Sequence, residues 1–178
     1  ISESVVGVGH RQSTLDAAVA RGAIDRGTTR PAEGVAGSDL VVLATPVGRF
    51  AALLAEASAA LSPGCLITDV GSTKRTVVEA VTPIIPSACR FVASHPLAGS
   101  EALGIDAARA DLYQGALVLV TPTPAGDEPS VQRIEQLWQA LGCRTRRLDA
   151  ATHDRLLAQT SHLPHLAASL LVEALSAE

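Results

Sequence analysis

Apolar positions along this chain follow two alternating rhythms. Short continuous apolar runs are separated by longer stretches in which apolar residues recur every three or four positions, the pattern of strands alternating with helices over a largely parallel sheet. Ser4-Val5-Val6-Gly7-Val8-Gly9 reads as a short strand and Ser13 to Arg21 as a helix, with Ser13 as N-cap and Gly22 as C-cap. Asp39 to Pro46 is continuously apolar through Leu40-Val41-Val42-Leu43, as expected of a strand covered on both faces. Phe50 to Leu61 reads as a helix stopped by Ser62-Pro63-Gly64. Cys65 to Val70 is the next strand, and Gly71-Ser72-Thr73-Lys74 turns it into a helix running to about Val81. Phe91 to Ser94 is a short strand ending at His95, and Ala116 to Thr121 is another. Pro122 to Glu128 is a loop, Ser130 to Leu141 an amphipathic helix and Arg144 to Leu148 a final strand. From Ala150 onward the pattern is helical and mostly apolar, which puts a domain boundary near Asp149 and divides the chain into 1–149 and 150–178.

Composition narrows the class. With 178 residues, 47% of them hydrophobic, the chain is long enough for one domain plus part of another. A net charge of −4 and the absence of a basic or aromatic-basic stripe argue against a nucleic-acid partner. Cys65, Cys89 and Cys143 are scattered with no Cys-x-x-Cys pair, so they read as free thiols in a reducing compartment. No apolar run approaches a membrane span and no signal-peptide pattern is present, so a soluble cytoplasmic protein is expected. The chain has no methionine and begins at Ile1 within a predicted strand, which predicts further residues upstream. Thirteen arginines stand against one lysine, Lys74, a skew better ascribed to genome composition than to function.

The candidate chemistry is concentrated. Four of the five histidines lie in two segments: His95-Pro96-Leu97-Ala98-Gly99-Ser100-Glu101, with Gly104 just beyond, and His153-Asp154 followed by Ser161-His162-Leu163-Pro164-His165. Clustered histidines suggest proton transfer or metal binding. His95 precedes a proline, which biases its backbone toward extended geometry, and Gly99 and Gly104 would let backbone approach a ligand. Glu101 either orients His95, touches a substrate or is a surface carboxylate. His162 and His165 share a face if helical, but Pro164 marks a break or a first turn, and no Cys partner or His-Glu-x-x-His accompanies them, so no metal is expected.

Gly7-Val8-Gly9-His10-Arg11-Gln12 lacks the third glycine of a dinucleotide fingerprint and reads better as the second strand of a Rossmann unit. There an acidic residue suits the ribose of NAD, whereas Gly9-His10-Arg11 offers two potential cations, so NADP is favoured over NAD; a solvated turn is the alternative. Ala44, Thr45 and Pro46 end a buried parallel strand, where α/β sheets bind ligands, although Pro46 can also simply stop the strand. Ser72 stands where a helix begins, so capping and catalysis remain equally open for it.

Taken together, Asp69-Val70-Gly71-Ser72-Thr73-Lys74, His95 to Gly104, Ala107-Ala108-Arg109-Ala110-Asp111-Leu112 and the His153 to His165 segment strongly resemble the prephenate/arogenate dehydrogenase family, in order and spacing, over essentially the whole chain. The resemblance implies an α/β fold: a Rossmann-like parallel-sheet domain, here without the family's opening strand and Gly-rich loop, followed by the start of an α-helical dimerisation domain. It implies NAD(P)-dependent oxidative decarboxylation of prephenate to 4-hydroxyphenylpyruvate in tyrosine biosynthesis, or of arogenate to tyrosine, by a homodimer acting on a small molecule. By match to the family motifs, His95 draws away the hydroxyl proton, Ser72 is its hydrogen-bonding partner beside the nicotinamide, and His165 with His162 lies near the substrate or the domain junction. Ser100 and Glu101 match positions lining the substrate pocket, and Gly9, His10, Arg11, Ala44, Thr45, Pro46 and Ser72 fall to the cofactor. The family's remaining helical residues lie beyond Glu178, so residues 1–178 by themselves are expected to be inactive. Three other classes compete. A β-hydroxyacid-type dehydrogenase would need a helical-domain lysine that this chain lacks; a nucleotide-sensing module would have no need of His95 and Ser72; a metal hydrolase would need a third ligand beside His162 and His165, which His153 or Asp154 could supply.

Overall fold

The computed structural model describes residues 3–99 and 104–176, and within them strands and helices alternate as an α/β protein. Strand β1 (Val6–Val8) pairs in parallel with β2 (Arg26–Thr28), with helix α1 (Gln12–Ala20) between them. A short helix α2 (Pro31–Val35) leads to β3 (Leu40–Leu43), which forms a parallel sheet with β4 (Leu66–Asp69) and β5 (Arg90–Phe91) in the order β3-β4-β5. Helices α3 (Phe50–Ala57) and α4 (Arg75–Val81) make the two crossovers. A second three-stranded group follows: β6 (Ala93–Pro96) runs antiparallel to β7 (Leu117–Thr121), and β7 runs parallel to β8 (Arg144–Arg147) through helix α5 (Glu128–Ala140). Helix α6 (Ala150–Leu157), a π-helical turn over Ala158–His162 and helix α7 (Leu163–Ser176) complete the described chain.

The strand alternation builds two cores, one on each face of the sheet. Ile67, Phe91 and Ala93 point with Leu43, Phe50, Leu54, Val77 and Val81 toward α3 and α4. Their neighbours Leu66 and Val92 point the other way, joining Val118, Val120, Val131, Ile134 and Trp138 beneath α5. All three cysteines are free and buried in these cores. Burying these side chains is what holds helices to sheet, at about 25 cal/mol per Å² of apolar surface removed from water.

Several sequence expectations change. Ser13 is not an N-cap: α1 begins at Gln12, Arg11 holds the cap position without a side-chain hydrogen bond, and Gly22 ends the helix at φ 68°. β3 is not covered on both faces, since Val42 is 44% exposed, and among the described residues it pairs only with β4; β4 is buried along its whole length. The Phe50 helix turns into a 3-10 turn at Ser58. The segment predicted as one strand from Phe91 to Ser94 is two, broken at Val92, where pairing passes from parallel β4 to antiparallel β7. α5 starts two residues early because the Asp127 carboxylate accepts from the Ser130 N–H at 3.0 Å and Pro129 occupies its first turn. β2 and α2 were not anticipated; three and five residues are too short to show a hydrophobic period.

One buried ion pair sits at the centre. Asp69 ends β4 and Lys74 precedes α4, and the two side chains, both wholly buried, are joined by a salt bridge. Asp69 also accepts from the Gly71 N–H at 2.9 Å and from the Ser94 N–H at 3.0 Å. The Ser94 hydroxyl donates to the Asp69 carbonyl at 2.6 Å and in turn accepts from the Trp138 indole at 3.1 Å. Burial pushes Asp69 above and Lys74 below their ordinary pKa values, and the pairing opposes both shifts. Lys74→Met leaves the Asp69 charge buried without its partner, and is expected to lower the unfolding free energy by about 3–5 kcal/mol in urea denaturation. Arg147→Met, at the more exposed pairing with Glu128 and Glu135, is expected to cost about 1 kcal/mol or less in the same measurement.

Candidate functional site

The carboxyl ends of β4 and β6, the turn after β4 and the π-helical turn after α6 meet in one region. Gly71 makes the tight exit from β4: a Cβ there would come within 2.6 Å of Val47 Cγ1 and 2.9 Å of Asp69 Oδ2. Ser72 follows and is exposed. Its capping alternative fails, since α4 has Lys74 at its N-cap position, with no cap from that side chain. Its first free N–H groups, those of Lys74 and Arg75, are taken instead by the Asp154 carboxylate of α6, at 2.7 and 2.9 Å. Ser72 is therefore free to face an open cleft of about 750 Å³ that it lines with Thr160, Ser161, His162, His165, Leu166 and Ser169.

The π-helical turn ends at His162, Pro164 falls in the first turn of α7, and both histidines line the cleft. An extra residue per turn of this kind re-aims the side chains that follow it. Among the described residues, no group of three or more His, Cys, Asp or Glu side chains is arranged to hold a metal ion.

His95 lies within β6, opposite Leu119 of β7, one residue before the strand ends. Its Nδ1 is 3.0 Å from Nε2 of His153, and the rings tilt by 54° at a centroid distance of 5.2 Å. His153 is wholly buried, and its Nδ1 is 2.8 Å from Asp154 Oδ1. Burial holds His95 neutral, lowering its pKa to about 4; repulsion from His153, were that ring protonated, and from the Lys74 ammonium acts in the same direction, and Asp154 opposes it. Burial likewise lowers His153, while Asp154 is pulled below the carboxylate range by the α4 N–H groups and by His153 despite its own burial. A neutral imidazole with one nitrogen committed to a neighbour can accept a proton on the other.

From the sequence, His153 and Asp154 stand only as possible third metal ligands, and Asp69 and Lys74 carry no role of their own in the site. The one signal available was that His153-Asp154 and Lys74 stand inside the motifs; the contacts of Asp154 with the start of α4 and of His153 with His95 join residues about 60 to 80 positions apart, and no local pattern announces them. Ser100 and Glu101 lie outside the described residues. Gly99 and Gly104 adopt φ values of 144° and 80°, which favour glycine, and among the described residues a Cβ at either would meet nothing within 4 Å. The loop after Gly104 is tied to α1 instead, by Arg21 to the Ile105 carbonyl at 2.8 Å and to Asp106.

The expected cofactor residues each follow the carboxyl end of a parallel strand. Gly9, His10 and Arg11 follow β1, Ala44, Thr45 and Pro46 follow β3, and Ser72 follows β4. All but Gly9 are exposed, and Gly9 is half-buried against Leu15. Such edges are where open α/β sheets take nucleotides.

Comparison with known proteins bears on this arrangement. Residues 1–147 match the family described as prephenate dehydrogenase, nucleotide-binding domain. The chain is 32% identical over 169 residues to prephenate dehydrogenase of Bacillus subtilis, covering 94% of the chain and 46% of the relative. It is 36% identical over 140 residues to cyclohexadienyl dehydrogenase of Zymomonas mobilis, covering 79% of the chain and 47% of that protein. The chain thus spans about half the length of these two relatives. The crystal structure of prephenate dehydrogenase from A. aeolicus in complex with hydroxyphenyl propionate and NAD+ superimposes with a TM-score of 0.90 at 30% identity, covering 98% of this chain and 60% of that one.

The depressed pKa of His95 has a measurable consequence. The unfolded chain takes up this proton near the ordinary value of 6.5, the folded chain only near 4, so stability falls as pH drops through that window. His95→Asn is expected to flatten the fall of the urea midpoint between these pH values relative to the parent. Equal slopes would show that folding does not hold His95 neutral.

Proposed function

The chain belongs to the prephenate dehydrogenase family, and on that premise we propose that the whole protein carries out NAD(P)-dependent oxidative decarboxylation of prephenate to 4-hydroxyphenylpyruvate. The observation that carries this reading is the placement of a neutral, half-buried His95 beside β4, in electrostatic reach of His162 in a cleft shared with Ser72 and His165. When bound, the nicotinamide supplies the hydride acceptor. The exposed turns after β1, β3 and β4 suit such a dinucleotide: Gly9 to Arg11, Ala44 to Pro46 and Ser72 would hold it. His95 would accept the proton of the substrate's ring hydroxyl, Ser72 would orient that hydroxyl by a hydrogen bond, and His162 and His165 would contact substrate from the helical side. Ser100 and Glu101 belong to the same substrate reading. General-base help of this kind is worth roughly 10²–10⁴-fold in rate.

Two finer points rest on the same premise. Arg11 stands at the uncapped N-terminus of α1, so its guanidinium and the first-turn N–H groups are both available to an anion, which supports NADP over NAD. The chain after Asp149 reads as the start of a helical domain that mediates a homodimer. In support of this, α7 leaves Leu163, Leu166, Leu170, Leu171, Val172 and Leu175 exposed, with Leu175 at 78%. Among the described residues no helix is long and apolar enough to cross a membrane.

The test is the rise in reduced-nicotinamide absorbance when the whole protein meets prephenate or arogenate with NAD+ or NADP+. Prephenate is expected to turn over; activity with arogenate alone would move the substrate, and silence in all four pairings with folded protein would sink the reading. His95→Asn is expected to lose about 10²–10⁴-fold in kcat while still binding cofactor. Arg11→Ala is expected to weaken NADP+ more than NAD+, and an equal loss of both would remove the basis for the NADP preference.

A further inference from the structure

A chain of three side chains runs from the α4 N-terminus to the proposed proton acceptor, and its donors and acceptors can be assigned one by one. Both oxygens of Asp154 accept from helix N–H groups, at 2.7 Å from Lys74 and 2.9 Å from Arg75. An ionised carboxylate can only accept. His153 Nδ1, 2.8 Å from Asp154 Oδ1, is therefore a donor and carries a proton. His153 is wholly buried and neutral, so its Nε2 bears the lone pair. That Nε2 lies 3.0 Å from His95 Nδ1, which must then be the donor. The remaining nitrogen of His95, Nε2, is left with the lone pair.

We propose that Asp154 and His153 are positioning residues that hold His95 as its Nδ1–H tautomer, so that Nε2 is the acceptor presented to substrate. The proposal rests on the reading of His95 as proton acceptor. In the step it serves, the substrate O–H bond breaks and an N–H bond forms at His95 Nε2, with the electron pair left on oxygen. The resulting imidazolium keeps its Nδ1–H bond to His153, and Asp154 supplies the nearby negative charge. An unconstrained histidine side chain favours the Nε2–H tautomer, so without this chain the acceptor nitrogen would more often be blocked by its own proton. The arrangement also makes the helical segment and the sheet act together, because Asp154 is anchored by α4 and presented by α6.

The experiment is ¹⁵N NMR of histidine tautomers in the whole protein at neutral pH, together with kcat and KM. The parent is expected to show His95 protonated at Nδ1. In Asp154→Asn an NH2 group at the Oδ1 position gives up the Lys74 N–H contact and donates to His153 Nδ1, which turns His153 around as a donor and moves the His95 proton to Nε2. Turnover should then fall on the order of 10²–10⁴-fold with KM for substrate little changed, the scale seen when a triad carboxylate is replaced by its amide. His153→Leu removes the acceptor and should behave alike. His153→Gln offers a carbonyl oxygen in its place and should retain kcat at least about tenfold above His153→Leu, a rescue that a packing role would not produce. If Asp154→Asn does not fold, the Leu and Gln pair at position 153 gives the same comparison. A His95 tautomer and kcat that do not respond to these substitutions, while His95→Asn abolishes turnover, would overturn the relay alone. Turnover surviving in His95→Asn would overturn the acceptor reading beneath it.

Discussion

The Asp69 carboxylate is the constraint on which the site depends. It lies at the end of the most deeply buried strand, and its contacts reach in three directions: to the Gly71 N–H in the turn, to Lys74 before α4 and to the Ser94 N–H in β6. Ser72 sits inside that turn and His95 directly after Ser94, so one buried charge sets the spacing between them. Burying two charges is costly unless every lone pair finds a donor. Here the ammonium and two backbone N–H groups meet the carboxylate, and the Ser94 hydroxyl ties the same pair of strands again through the Asp69 carbonyl.

A second constraint is laid over the first. α4 begins without a cap of its own, and the missing acceptor comes from Asp154, about 80 residues later. That docking sets α6 against α4, buries His153 beside His95 and starts the π-helical turn from a fixed point. The turn then brings His162 and His165 to the cleft edge opposite Ser72. Electrostatics and geometry agree: the burial that orders this corner also keeps the His95 and His153 imidazoles neutral, the form that can accept protons.

Strands with strong apolar runs, Leu40–Leu43, Leu66–Asp69 and Leu117–Thr121, were legible from the chain alone, as was the amphipathic α5, because burial on a sheet or one helix face imposes a period on the sequence. β2 and α2 escaped because they are shorter than one such period. The exposure of Val42 escaped because an apolar run reports the residues present and not how many neighbours a strand has.

The residue types were therefore determined by the sequence: which serine, which histidines and which glycine-bounded turn stand at strand ends, and the family they resemble. Tertiary structure alone decided their partners. That Ser72 leaves capping to Asp154, that His153 touches His95, and that a lysine next to a helix start is wholly buried are outcomes of elements packing together in space. Hydrogen-bond direction and burial depend on distance in space, and a linear pattern carries no record of that distance until the chain has packed.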